Sequence, residues 1–136
     1  MDFLVSASRV ASAALIANST RVGVVTENLA NVESAGSTPG SDPYARKRVT
    51  FESIRATGGI QHIRARTING DSDSFRVEHR PGHPAADERG FVKLPSIDPL
   101  IEIADLKEAN RAYQANLQTI RQIRELVSMT IDLLKG

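Results

Sequence analysis

Apolar residues recur every three or four positions in the last part of the chain, after Pro99. Asn110 and Arg124 keep the same spacing and interrupt the stripe, which is otherwise typical of a coiled-coil seam. Asp98 suits an N-cap and Pro99 suits the first helical position, where no backbone donor is needed. The pattern therefore predicts one helix that runs from Pro99 to the end of the chain. The apolar seam positions are Ile103, Leu106, Tyr113, Leu117, Ile120, Val127, Ile131 and Leu134.

The first 33 residues show the same spacing and contain no proline and one glycine, Gly23. The pattern predicts a helix from about Asp2 to Val32, with Asp2 favourable at its N-terminus. Several alanines on this helix permit close approach of a second helix. The apolar seam positions here are Leu4, Leu15, Val22, Val25, Leu29 and Val32.

Both predicted helices are long for a chain of 136 residues. A helix of about 37 residues extends about 55 Å, whereas a compact sphere built from such a chain is roughly 37 Å across. We therefore expect the two seams to pair with each other as an antiparallel unit, and to leave apolar surface that other molecules cover.

The middle of the chain differs from its ends, because all six prolines lie between Pro39 and Pro99 and seven of nine glycines lie between Gly36 and Gly90. Ser34 to Pro43 is a loop by composition. The predicted fold class is α+β: two long terminal helices, an extended loop and a small β-rich segment. The predicted domains are a helical domain, 1–33 plus 97–136, and an outer region, 34–96.

Short runs with strand character lie within the middle region. Gly58-Gly59 marks a turn, and Asn69-Gly70 is a second turn that we expect to join two paired strands. Asp71 and Asp73 beside it are interpreted as turn residues. The four predicted strands are Tyr44 to Phe51, Ile60 to Ile68, Phe75 to His79 and Gly90 to Leu94.

Candidate chemistry is sparse. His79, His83, Asp87 and Glu88 could be imagined as a metal cluster, but their spacing matches no usual ligand pattern and the prolines among them prevent a helix from aligning them. The chain has no cysteine, no Gly-x-Ser-x-Gly nucleophile elbow and no phosphate-binding loop. We therefore predict no catalytic residue, no cofactor and no metal, and interpret the chain as a non-enzyme.

Net charge argues against a nucleic-acid binder, because 17 basic and 16 acidic residues leave only +1. The cluster Arg46-Lys47-Arg48 could touch nucleic acid, but three cations on a strand more often form a solvated edge or meet an acidic protein surface. The N-terminal helix could lie on a membrane, yet its polar side carries only Arg9 and Arg21. The sequence shows no cleavable signal and no run long enough to span a membrane.

Short motifs at the two ends resemble the flagellar rod, hook and hook-associated axial proteins. Asn28-Leu29-Ala30-Asn31 resembles the element that ends their N-terminal helix. Asparagine tolerates left-handed backbone and can cap a helix end, while Leu29 stays on the seam. Ala112 to Asn116, which includes Tyr113, resembles the matching element of their C-terminal helix.

Two middle segments, Asp42 to Val49 and Pro81 to Val92, resemble the proximal-rod protein C family of the bacterial flagellar basal body. The stretch around His83 discriminates best among the rod families, and the segment from Thr57 to Arg80 matches only loosely. The motif residues that carry the resemblance are Asn28, Leu29, Asn31, Tyr44, Pro81, Gly82, His83, Pro84, Gly90, Tyr113 and Asn116.

The resemblance implies a structural subunit that the flagellar type III apparatus exports without signal cleavage. Such subunits assemble in the periplasm into a helical drive shaft around the export channel, with terminal helices inside and a β-rich part outside. The implied partners are copies of this chain, proximal-rod proteins B and F, the distal-rod protein and the rod-to-export-gate adaptor. Neither a nucleic acid nor a membrane span is implied. A cytoplasmic coiled-coil adaptor or export chaperone is the alternative.

Overall fold

The computed structural model describes residues 1–70 and 75–136. It confirms the α+β fold class. The two long terminal helices are in contact, and the middle of the chain forms two small β-hairpins. The elements in chain order are α1 (Asp2–Ala30), β1 (Arg48–Arg55), β2 (Gln61–Ile68), β3 (Arg76–His79), β4 (Phe91–Leu94) and α2 (Pro99–Lys135).

The helix ends follow from local chemistry. Asp98 Oδ1 accepts a hydrogen bond from the Leu100 backbone N–H at 2.9 Å, which confirms the predicted N-cap ahead of Pro99. Helix α1 ends at Ala30, two residues before the predicted Val32. Asn31 ends it by donating from its side chain to the Glu27 carbonyl at 2.8 Å.

The chain forms two compact units. The first comprises Met1–Val22, Thr50–Arg66 and Lys107–Gly136. Within it α1 and α2 pack antiparallel, because Ala11 lies in one cluster with Ile120 and Ile123, while Arg21 pairs with Glu108. Leu4, Ala7, Leu15 and Val127 pack around that cluster. Alanine on the α1 side lets the two backbones approach closely.

The second compact unit comprises Gly23–Val49 and Thr67–Leu106. Its core contains Ala85, Val92 and Leu94, and the half-buried Ala35 and Ala86 pack against them. Val92 and Leu94 alternate with exposed residues along β4, so this strand follows the period-two pattern of a half-buried sheet. The predicted division into an inner helical domain and an outer region concerns an assembly and stays a prediction.

The strand pairing differs from the prediction. β1 pairs with β2, and β3 pairs antiparallel with β4, with Arg76 opposite Leu94 and His79 opposite Phe91. The predicted pairing of strands across Asn69-Gly70 is therefore wrong, although a turn at Gly58-Gly59 is confirmed by φ values of 94° and 81°.

Gly70 has a different role from a hairpin turn. A Cβ at this position would collide with the Arg46 carbonyl oxygen, so glycine is required for close approach of two backbone segments. The predicted strand from Tyr44 is also wrong in its start, since β1 begins at Arg48. The predicted turn residues Asp71 and Asp73 lie outside the described residues.

No helix in the described ranges combines the length and apolarity that crossing a bilayer requires.

Two glycine substitutions are expected to change stability in opposite directions. Gly70→Ala should lower the free energy of unfolding by about 1–3 kcal/mol, because the new Cβ forces a backbone shift. Gly23→Ala should raise it by about 0.5–1 kcal/mol, because Gly23 lies inside α1 with nothing within 4 Å of an added Cβ. Urea unfolding of the purified chain measures both, and an equal effect of the two would contradict the close approach at Gly70.

Candidate assembly surfaces and the helix junction

The end of α1 is tied to the following loop by one buried amide. Asn28 is 1% exposed, and its side chain uses all four of its hydrogen-bonding positions. Its Nδ2 donates to the Lys47 carbonyl at 2.8 Å and to Glu102 Oε2 at 3.2 Å. Its Oδ1 accepts from the Tyr44 hydroxyl at 2.8 Å and from the Lys47 backbone N–H at 3.0 Å. The amide therefore holds a stretch of loop as a neighbouring strand would.

Glu102 joins the start of α2 to the same junction. Its side chain is fully buried, and its second carboxylate oxygen accepts a hydrogen bond from Arg46 Nε. A buried carboxylate is costly unless it is both paired and hydrogen-bonded, and here Arg46 and Asn28 supply those partners. We refer to Asn28, Tyr44, Arg46, Lys47 and Glu102 as the helix junction.

The helix junction explains most of the basic cluster at Arg46-Lys47-Arg48. Lys47 Nζ lies 2.6 Å from Glu27 Oε1, and Arg46 pairs with Glu102, so two of the three cations have partners inside the chain. Burial of Tyr44, reinforced by the negative charges of Glu27 and Glu102, raises the pKa of its hydroxyl to about 12. Tyr44 is therefore a neutral donor to Asn28 throughout the physiological range.

Asn31, the second asparagine of the motif, ends α1 through its side chain. Its Oδ1 accepts from the Ser34 hydroxyl at 2.8 Å, in addition to its own bond to Glu27. Left-handed backbone at these asparagines is a wrong expectation, since every described non-glycine residue has negative φ. Side-chain capping and loop fixation satisfy the helix end without that strain.

The motif around His83 forms the connection between β3 and β4. His83 Nδ1 accepts from the Ala85 backbone N–H at 3.0 Å, and the Arg80 N–H donates to the Gly90 carbonyl at 2.9 Å. Gly90 has a φ of 82° and is buried against Pro81, so a side chain there is doubly unfavourable. Pro81, Gly82 and Pro84 are exposed parts of the same turns.

The imagined metal cluster does not form. His79 packs edge-on against Phe91 with ring centroids 5.0 Å apart, while Asp87 Oδ1 accepts from the Arg89 and Phe91 backbone N–H groups. These bonds lower the pKa of Asp87 from its usual value. In the described part of the chain, no three His, Asp or Glu side chains are grouped as metal ligands.

The seam positions fall into three groups by burial. Val25 and Ile120 are buried, whereas Ile103, Ile131 and Leu134 are exposed. The remaining seam positions are half-buried: Leu4, Leu15, Val22, Leu29, Val32, Leu106, Tyr113, Leu117 and Val127.

The face that α2 turns towards its own chain is rotated from the predicted seam. It includes Glu102, Ala109, Ile120 and Ile123, with the half-buried Asn116 between them. Sequence reasoning missed its first half because a carboxylate, an alanine and an amide do not stand out as apolar positions. Their spacing of seven residues, 102–109–116–123, was the available signal.

Large apolar side chains are left exposed beside this face. Leu126, Met129 and Leu133 lie at helical spacing on α2 and are 48%, 49% and 83% exposed. We call these three residues the C-terminal stripe. Residues on one side of a helix at this spacing form a continuous apolar strip.

An apolar groove of about 420 Å³ lies between α1 and α2 in the first unit. Alanines and the exposed Phe3, which is 81% accessible, contribute to its lining. A groove and a stripe of this kind are typical of surfaces that other helices cover.

The two buried asparagines of α1 provide a matched test of the helix junction. Asn28→Ala is expected to lower the free energy of unfolding by about 2–4 kcal/mol, because buried groups left without partners each cost about 1–3 kcal/mol. Asn18→Ala should cost at most about 1 kcal/mol, since Asn18 Oδ1 is buried without a partner and its Nδ2 bonds only to Ala14 of the same helix. Chemical denaturation of both variants checks this, and equal losses would contradict the role of the amide.

The chain is similar to flagellar rod proteins of several bacteria over most or all of its length. It is 51% identical to the flagellar basal-body rod protein FlgC of Agrobacterium fabrum, over 100% of this chain and 99% of the relative. It is 34% identical to FlgC of Salmonella typhimurium, over 91% and 92% of the two chains. It is 30% identical to FlgC of Borreliella burgdorferi, over 98% and 99%. No family model matches the chain. The full-length likeness to these relatives shows that the chain belongs to the FlgC family of flagellar basal-body rod proteins.

Proposed function

We propose that the chain is a structural subunit of the bacterial flagellar basal-body rod. The C-terminal stripe is the single observation that supports assembly with neighbouring subunits. Its apolar side chains remain exposed although α2 already packs against α1. Its full-length likeness to rod proteins supports the identity of the assembly.

The stripe and the groove are different surfaces of the same chain. A contact between unlike surfaces continues from copy to copy, around a ring if the rotation closes and along an open helix if it does not. The open helix is the geometry of a rod. We propose that the exposed and half-buried seam positions pack against neighbouring subunits, while Ala11, Ile120 and Ile123 hold each subunit together.

The proposed neighbours are copies of this chain and other rod proteins, namely proximal-rod proteins B and F, the distal-rod protein and the rod-to-export-gate adaptor. We further propose export by the flagellar type III apparatus and assembly in the periplasm around the export channel. In this role torque passes through many packed helix faces and not through one special residue. Small buried alanines support it, because close helix packing resists sliding.

A cytoplasmic coiled-coil adaptor or export chaperone would also expose apolar helix faces. Fractionation separates the two functions, because a rod subunit co-purifies with basal bodies and an adaptor does not.

Two substitutions on α2 that add the same negative charge distinguish assembly from stability. Leu133→Asp, in the C-terminal stripe, should prevent incorporation into basal bodies and abolish swimming, because the charge would be buried against a neighbour. Ser128→Asp, exposed outside the stripe, should leave both near normal. The two monomers should unfold within about 0.5 kcal/mol of the parent chain. Normal swimming of the Leu133→Asp strain would contradict the proposal.

A further inference from the structure

The positive charge of the chain is concentrated in one hairpin. The segment 48–68, which forms β1, the Gly58-Gly59 turn and β2, contains four arginines and one glutamate, a formal charge of +3. The whole chain carries +1, so the remaining residues sum to −2. All four cations of the hairpin are arginines, whose planar guanidinium groups bind carboxylates through two parallel hydrogen bonds.

Two of these arginines share the one carboxylate of the hairpin. Arg64 Nη2 lies 3.3 Å from Glu52 Oε2, and Arg66 Nη1 lies 3.2 Å from Glu52 Oε1. Both guanidinium-bearing side chains are more than 60% exposed, at 62% and 68%. Hydrogen bonds from Arg66 and Arg64, together with their positive charges, lower the pKa of Glu52. Glu52 therefore stays ionised, and its single charge neutralises only one of the two cations. The pair has capacity for a further carboxylate.

The hairpin lies against α1. Ile54, Ile63, Arg64 and Ala65 line a cleft together with Ala13 and Ala17 of α1. A two-stranded hairpin is marginal by itself, so this attachment gives the arginines a fixed support.

We propose that Arg64 and Arg66 form a docking surface for an acidic patch on a protein different from this chain. Exposed arginines are enriched among the residues that contribute most to protein–protein contacts. The inference rests on the proposed function only because it assumes that the subunit is assembled beside other proteins. It goes further by naming the face of the subunit that contacts a different protein.

The chain itself offers a poor acidic partner among its described residues. Glu33 and Glu78 are occupied by Arg76 and Arg80. Most other carboxylates are ion-paired or have a cation close by in the sequence. Ion pairs join Glu27, Asp42, Glu102 and Glu108 to Lys47, Lys93, Arg46 and Arg21. Asp87 and Glu88 precede Arg89, Glu125 follows Arg124, and Asp132 lies one turn before Lys135. A second copy would therefore present mixed charge to the arginines, and not a matching patch.

Photo-crosslinking in living cells tests the proposal directly. A photo-reactive residue replaces the exposed Thr50, which shares a face of β1 with Glu52, and mass spectrometry identifies the crosslinked peptide. We expect a peptide from another protein with clustered Asp and Glu residues. Arg64→Glu combined with Arg66→Glu should lower the yield about tenfold or more, because attraction becomes repulsion. Arg64→Lys with Arg66→Lys should retain much of it, and Glu52→Gln should increase it by removing the internal competitor.

Charge exchange separates docking from misfolding. Arginines placed at the crosslinked carboxylates of the partner should restore the yield of the Arg64→Glu, Arg66→Glu chain, which a misfolded hairpin could not do. Crosslinking to a second copy, to a nucleic acid or to a lipid, an unchanged yield after charge reversal, or no crosslink at all would overturn the inference. These readouts do not depend on basal-body purification, so failure of the hairpin proposal is distinguishable from failure of the rod proposal.

Discussion

The structure depends on one constraint: the long helix α2 carries more apolar surface than the rest of the chain covers. α2 has 37 residues, and the apolar contacts of its C-terminal half with α1 involve one side of the helix. Leu126, Met129 and Leu133 remain in contact with water. Exposed apolar surface is tolerated one residue at a time, whereas a strip of this kind is typical of an interaction surface. The contacts within the chain are thus sufficient to fold one subunit, but they leave apolar surface that a neighbouring subunit can cover.

The two compact units are held by different physical interactions. In the first, alanine and isoleucine side chains pack between the helices. In the second, the helix junction joins the end of α1, the loop and the start of α2 through Asn28 and Glu102. Polar junctions of this kind add little net stability but accept only one geometry, because each misplaced partner leaves a buried group unsatisfied. We interpret the helix junction as the element that fixes where the loop leaves the helix.

The sequence predicts the helices of this fold better than the contacts between segments that are distant in the chain. Spacing of apolar residues and the Asp98-Pro99 signal predict α2 correctly, since period and capping are local properties. The Asn69-Gly70 turn misled the strand pairing, because Gly70 is needed for close approach to Arg46 and not for a hairpin. Glu102 escaped notice because a buried charge is recognisable only through its partners, and Arg46 is 56 residues away in the chain. The motif asparagines correctly indicated where α1 ends. Asn28, however, acts by binding the loop and Glu102 through its side chain, and not by adopting left-handed backbone.

Oxidation of Met129 by hydrogen peroxide, followed by mass spectrometry, tests the central claim most directly. Met129 is 49% exposed in the subunit, so it should oxidise readily in the purified chain. In isolated basal bodies the same residue should be strongly protected, because a neighbouring subunit covers the C-terminal stripe. Equal oxidation rates in the subunit and in the basal body would contradict the account.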